Sequence, residues 1–182
     1  MKKKIKKILN NCRGFTLVEV MATLVIFSLI AIEVGGIFIQ IMSLERRSFA
    51  SQKIQENSMS VLESIAREIR VSQIINQDSS DCSRTNLTIS HPVSGPISYS
   101  LSSGVVQKTI SDNGQLVTVP LNSSDVEFTK FNFCVKGSGI GDNQQARVTI
   151  VTIVKNKTGA EKVEYNLQTT ISSRDISIEL QN

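Results

Sequence analysis

The chain has no tryptophan, two tyrosines and a single histidine among its 182 residues. So few aromatics argue against an aromatic-lined small-molecule pocket. One histidine, His91, cannot form a histidine-based metal cluster, and it has no obvious partner for a nucleophile–base–acid triad. It precedes Pro92 and reads as a turn residue. HExxH, CxxC and phosphate-loop patterns are all missing. The glycine-rich run Gly137-Ser138-Gly139-Ile140-Gly141-Asp142 lies between two predicted strands and opens no helix, so it reads as a hairpin loop and not as a phosphate cradle. Asp112, Asp125 and Asp142 are scattered and match no calcium-loop spacing. No catalytic residue, metal or cofactor is expected. The sequons at Asn86, Asn122 and Asn156 read as chance matches.

Cysteine is scarce too. Cys12 lies near the amino terminus, leaving Cys82 and Cys134 in the body of the chain. An oxidising compartment would permit a disulfide between those two; two free thiols are the alternative. A bridge would close a loop of about fifty residues and contribute at most roughly 4 kcal/mol in the chain-entropy account.

Acidic residues are missing from the first fourteen positions, which carry six of the 20 basic residues: Lys2, Lys3, Lys4, Lys6, Lys7 and Arg13. The formal charge of +4 is therefore misleading. Beyond Gly14 there are 14 basic against 16 acidic side chains, a net of −2. A basic pI would ordinarily raise nucleic-acid binding. Here it reports the positive end of an export signal.

Phe15 to Leu44 then forms a nearly uninterrupted apolar run. As a helix it spans about 45 Å, against roughly 30 Å of bilayer hydrocarbon. The surplus implies a helix that leaves the membrane and is buried against other protein. An ordinary signal peptide has its small-residue cleavage site after the apolar core. Here the small residue, Gly14, comes before it, so cutting there leaves the run on the product. Two acids interrupt the run. Glu33, about 27 Å along the axis from Phe15, can sit near the far interface. Glu19 lies only about 6 Å along, inside the apolar stretch, where an unpaired acid costs on the order of 3 kcal/mol. Its nearest candidate partner is the amino terminus created by cutting after Gly14, on the same or a neighbouring chain.

Gly14-Phe15-Thr16-Leu17-Val18-Glu19-Val20, with basic residues before it and about twenty apolar residues after it, resembles the prepilin peptidase site of type IV pilins and pseudopilins. The resemblance covers roughly Lys2 to Leu44. It implies cleavage between Gly14 and Phe15 on the cytoplasmic side, N-methylation of Phe15, and pairing of Glu19 with the Phe15 amine of an adjacent subunit. Many major pilins carry a proline within the apolar helix. This chain has Gly35-Gly36 instead, a place where the helix could stretch or pack closely, since each glycine weakens a helix by roughly 1 kcal/mol relative to alanine.

From Leu44 to about Ile75 the pattern continues as amphipathic helix. No proline occurs between Met1 and His91. Ile54, Val61, Leu62, Ile65, Ala66, Ile69 and Ile74 recur at steps of three and four, and Glu63 and Arg67 form an i,i+4 pair. Gln77–Arg84 is a polar break. Alternating strands then follow at 87–90, 97–101, 105–110, 116–119, 126–135, 147–155 and 162–171. Turns stand at Ser102-Ser103-Gly104, Asp112-Asn113-Gly114 and Lys157-Thr158-Gly159. Phe128, Phe131 and Phe133 are expected to fill the layer between helix and sheet. The tail Ser177–Asn182 carries no strong signal. The fold class is α+β: a long helix packed on an antiparallel sheet, the pilin-like arrangement. The expected organisation is leader 1–14, membrane and filament-core helix 15–44, amphipathic helix 45–76 and β-rich head 77–182.

The resemblance implies a structural filament subunit and no enzyme. Its expected partners are other subunits, the prepilin peptidase and methyltransferase, an inner-membrane assembly platform and, before assembly, membrane lipid. Gln168–Arg174 resembles the endings of minor pilins and pseudopilins with larger heads, which implies a minor subunit. Three settings stay open: a type IV pilus, a type II secretion pseudopilus, and a competence pilus that binds DNA. The slightly acidic product argues against a broad DNA-binding face, leaving at most a local patch at Arg46, Arg47 and Lys53.

Overall fold

The structure, a computed structural model, describes residues 14–79, 81–112, 114–139, 144–159 and 161–174. The leader before Gly14 with Cys12, Asn113, Ile140 to Asp142, the tail Ser177–Asn182 and the side chain of Asp112 lie outside the described residues.

Among the described residues one long helix, α1 (Leu17–Val71), precedes seven strands. These are β1 (Asn86–His91), β2 (Gly95–Ser102), β3 (Val105–Asp112), β4 (Gln115–Pro120), β5 (Val126–Lys136), β6 (Arg147–Asn156) and β7 (Glu164–Ser172). The chain divides into two compact units, Met1–Glu45 and Arg46–Asn182.

In the first unit the apolar side chains from Phe15 to Leu44 are all exposed, and nothing among the described residues covers them. A Cβ added at Gly35 or Gly36 would meet nothing within 4 Å, so the chain's own packing does not require glycine at either place.

In the second unit the helix buries Ile54, Ser58, Val61, Ile65, Ala66 and Ile69. That is the three- and four-residue spacing of one helical face. Glu63 and Arg67 meet at 3.0 Å on the opposite, exposed side, where such a pair contributes a few tenths of a kcal/mol. The helix stops at Val71, short of the expected Ile75, because its last carbonyls and the next residues find other partners. Ser173 Oγ donates to Ser72 O (2.7 Å) and Arg174 N to Arg70 O (2.8 Å). Gln73 then exchanges two backbone bonds with Ser90 and is drawn toward β1.

The strands lie where alternation places them, but they form two antiparallel sheets where a single sheet was expected: β1-β2-β3-β4 and β5-β6-β7. The division falls at Leu121–Asp125, where a side chain replaces strand pairing. Asn122 Oδ1 accepts from Val106 N (2.8 Å), and its Nδ2 donates to Val126 O (2.8 Å) and Ser123 O (3.2 Å). Asn156 does the same at the β6–β7 connection, accepting from Val163 N and donating to Thr158 O and Glu161 O. Two sequon asparagines are thus committed to the backbone.

Phe128, Phe131 and Phe133 are buried, with edge-to-face ring pairs at 6.0 and 4.9 Å. Strict alternation cannot point residues 128 and 131 to one face. A register shift between Phe128 and Lys130 inserts the extra residue that allows it. At the β2–β3 turn Ser103 and Gly104 both take positive φ (49° and 80°), the pattern of a tight hairpin.

Every residue of the helix's buried face is apolar except Ser58, whose hydroxyl is buried without a hydrogen-bond partner. Ser58→Ala should therefore leave stability unchanged or raise it by up to about 1 kcal/mol. Ile65→Ala, at the same face, should cost about 2–5 kcal/mol. Denaturant unfolding of the two variants beside the parent checks both expectations.

Candidate functional site

The residues singled out for processing and assembly fall in the first unit. Gly14, Phe15 and Thr16 precede the helix in irregular conformation and are exposed; Phe15 retains 83% of its accessible surface. A peptide bond between Gly14 and Phe15 is therefore presented outside any helical hydrogen-bond ladder. A side chain at Gly14 would meet nothing within 4 Å. If glycine is needed there, the need arises from something that binds the segment.

Thr16 is the N-cap of α1. Its carbonyl accepts the first helical bond, from Val20 N (3.3 Å). Its Oγ1 accepts from Glu19 N at 3.3 Å. Glu19 reaches back, and its Oε2 accepts from Thr16 N (3.2 Å) and Thr16 Oγ1 (3.2 Å). This reciprocal arrangement is a capping box, legible in the sequence as Thr-x-x-Glu. The electrostatic argument for Glu19 missed it. The acid has a local partner in its own chain, at the positive end of the helix dipole. One oxygen, Oε1, has none among the described residues. Glu33, further along the same helix, also has no partner among them.

The second unit holds three polar clusters that sequence reasoning did not anticipate. Glu68, on the helix, accepts from Tyr99 Oη on β2 and pairs with Lys108 Nζ on β3. Burial, and then the bond to Glu68 and its charge, push the Tyr99 phenol well above its ordinary value. Asp78 Oδ1 accepts from Ser138 N (2.8 Å) and Ser138 Oγ (2.6 Å), while Asn76 N and Gln77 N bond back to Ser138. Burial alone would raise the Asp78 carboxyl, but the donors at Ser138 and Gly137 outweigh it and hold it below its ordinary value of 3.8. Next to this clasp Cys82 and Cys134 are bonded to each other, Cα atoms 4.4 Å apart and 52 residues apart in sequence. His91 serves its turn, its Nδ1 accepting from Val93 N and Ser94 N. Asp125 is paired with Lys53 at 3.2 Å.

Residues 9–32 match the family model described as the prokaryotic N-terminal methylation motif. This is the amino-terminal signature of type IV pilins and pseudopilins. The match spans the exposed Gly14–Phe15 bond, the capping box and the first half of the apolar run. The α+β architecture, one long amino-terminal helix with its later part against antiparallel sheets, is pilin-like. α1 is long and apolar enough at its amino-terminal end to cross a membrane, which fits a membrane-anchored pilin. No significant match to the chain was found among curated proteins or among solved structures.

The Asp78 clasp carries a pH signature. Because the folded-state carboxyl titrates lower than in the unfolded chain, its stabilisation is complete above pH 3.8 and is lost as pH falls through the folded value. Asp78→Asn should therefore unfold more easily than the parent at pH 7, and the gap should close in strong acid. Denaturant midpoints of both proteins at neutral and acidic pH measure this.

Proposed function

We propose that the chain is the precursor of a subunit of a type IV pilus-like filament, cut between Gly14 and Phe15, N-methylated at Phe15 and assembled through its apolar helix. The observation that carries the reading is the combination at one helix end. An exposed, non-helical Gly14–Phe15 bond stands four residues before an acid, and that acid heads a helix whose apolar surface the described residues leave uncovered.

Cleavage would create an ammonium at Phe15. Glu19 Oε2 is occupied by Thr16, but Oε1 is free to accept from the amine of an adjacent copy. In lipid the capping box lowers the cost of the carboxylate. In a protein bundle the neighbouring amine adds a charge-assisted bond, worth roughly twice a neutral one. Transfer from lipid to a bundle of like helices would then exchange one apolar solvent for another while setting the axial register. The leader would remain cytoplasmic because of its six cations, placing the head outside the membrane. Cys82–Cys134 suits an oxidising compartment. The partners in this scheme are the peptidase and methyltransferase, an inner-membrane assembly platform and other subunits.

A secretion pseudopilus would use the same amino-terminal chemistry, so the first unit does not separate the two settings. For DNA capture, the head offers little. Of the patch Arg46, Arg47 and Lys53, the lysine is already paired with Asp125.

Glu19→Ala should still lose residues 1–14 but fail to enter filaments. Intact mass of the membrane-extracted protein reports leader loss and one added methyl group. Sheared-filament yield reports incorporation, and normal yield from this variant would refute the register role of Glu19.

A further inference from the structure

Two antiparallel sheets have four edges, and this head treats them unequally. The free edge of β1 is sealed. Gln73 exchanges two backbone bonds with Ser90 (3.0 and 2.9 Å), and the Gln77 side chain takes both Thr88 N (3.1 Å) and Thr88 O. The free edge of β5 is sealed as well. Phe133 N bonds to Arg84 O (2.8 Å), Val135 exchanges bonds with Ser79, and Phe128 N bonds to Gly104 O. Among the described residues nothing seals β4 or β7.

The edge of β4 is blocked only at its end, by Pro120. It carries no charge and no bulge, and its register against β3 is regular. All six of its residues are exposed, including Leu116 at 77%. Its backbone groups can be assigned. Leu121 N bonds to Val106 O, so counting back by two turns Val119, Val117 and Gln115 toward β3. Leu116 and Thr118 therefore point N–H and C=O outward. Pro120 falls on the outward side as well, where its missing N–H costs no ladder bond.

On β7 the same reasoning starts from Ser173 N to Ala146 O and Asn156 N to Val163 O. It turns Glu164, Asn166, Gln168, Thr170 and Ser172 outward. One open edge thus offers Leu116 to Pro120 and the other Glu164 to Ser172.

We propose that β4 of one copy pairs with β7 of the next copy, by backbone hydrogen bonds between the two unsealed edges. The proposal rests on the filament reading. Wherever copies of this chain adjoin in the filament, contacts must be head-to-tail, because pairing one edge with itself closes a dimer and ends growth. A chain whose two open edges belong to different sheets meets that requirement, and its two sealed edges keep the pairing from going elsewhere.

The test uses the full chain in its host membrane. Leu116→Cys is combined in one chain with Asn166→Cys, Gln168→Cys or Thr170→Cys, the three covering neighbouring registers, followed by mild oxidation. The expected result is a ladder of covalent multimers beyond the dimer for at least one combination, and none for any single variant. Adding Thr118→Pro removes one outward N–H and no inward one, and should reduce the ladder at least tenfold. Thr118→Val, which keeps that N–H, should not. Persistence of the ladder with Thr118→Pro, dimers from Leu116→Cys alone, or filaments without any ladder would each overturn the pairing. Leader loss and filament yield are scored on the same samples. Absence of both with the parent sequence would instead defeat the filament reading.

Discussion

The apolar surface between Phe15 and Leu44 has no cover among the described residues, and that constrains where the chain can be stable. Each large side chain left in water forgoes about 1.5–3 kcal/mol, and more than a dozen are exposed there. Such a segment is stable only in lipid or against other protein. The chain makes the segment helical, so its backbone polar groups are satisfied internally wherever it goes. It then deals with the one place a helix cannot satisfy itself, the amino-terminal N–H groups, through Thr16 and Glu19. The capping box and the methylation motif therefore share residues for a physical reason. If the Gly14–Phe15 bond is cut as proposed, the helix begins cleanly just past it, and the acid that caps it would keep one oxygen for a neighbour's amine.

The second unit follows an opposite logic. Its core is self-contained, with Ile54 to Ile69 of the helix buried against strands of both sheets. Its connections are pinned by polar groups. Asn122 bridges the seam between the sheets, Asp78 clasps Ser138, and Cys82–Cys134 anchors the segment that leads out of the helix. Glu68 joins helix to sheet through Tyr99 and Lys108. These contacts hold long, irregular connections that would otherwise open locally at small cost. The head can thus keep its structure while the anchor exchanges one solvent for another.

Much of this was legible in the sequence. The apolar run is plain from composition, the stripe at Ile54, Val61, Ile65 and Ile69 from its spacing, and the strands from alternation, which is clearest in β1 and β6, where one face is buried and the pattern has to show it. The motif at Gly14 to Glu19 was legible because it is local. What the sequence did not reveal depends on residues far apart. The division into two sheets rests on what Asn122 bonds to, and a single asparagine in a loop announces nothing. The end of the helix at Val71 depends on Ser173 and Arg174, about a hundred positions away. Phe128 and Phe131 are an odd step apart, so only the bulge between them reconciles both with the core. The capping box was a different kind of miss. Its Thr-x-x-Glu signature was in view, but the acid had been weighed only as a charge and not as a hydrogen-bond acceptor.

The contrast between the units says where association energy must come from. Among the described residues of the head every buried side-chain nitrogen or oxygen is satisfied except the Ser58 hydroxyl, and the large apolar side chains are mostly inside. Little there is left to gain by binding, apart from two strand edges. In the anchor, 19 exposed large apolar side chains and the free oxygen of Glu19 remain available. Association driven by the anchor is strong and has little directional specificity, since apolar packing is tolerant of rotation and slip. Directionality has to be added by hydrogen bonds and charges at fixed positions. In the assembly proposed, Glu19 would supply one such constraint, and backbone edges in the head would supply another.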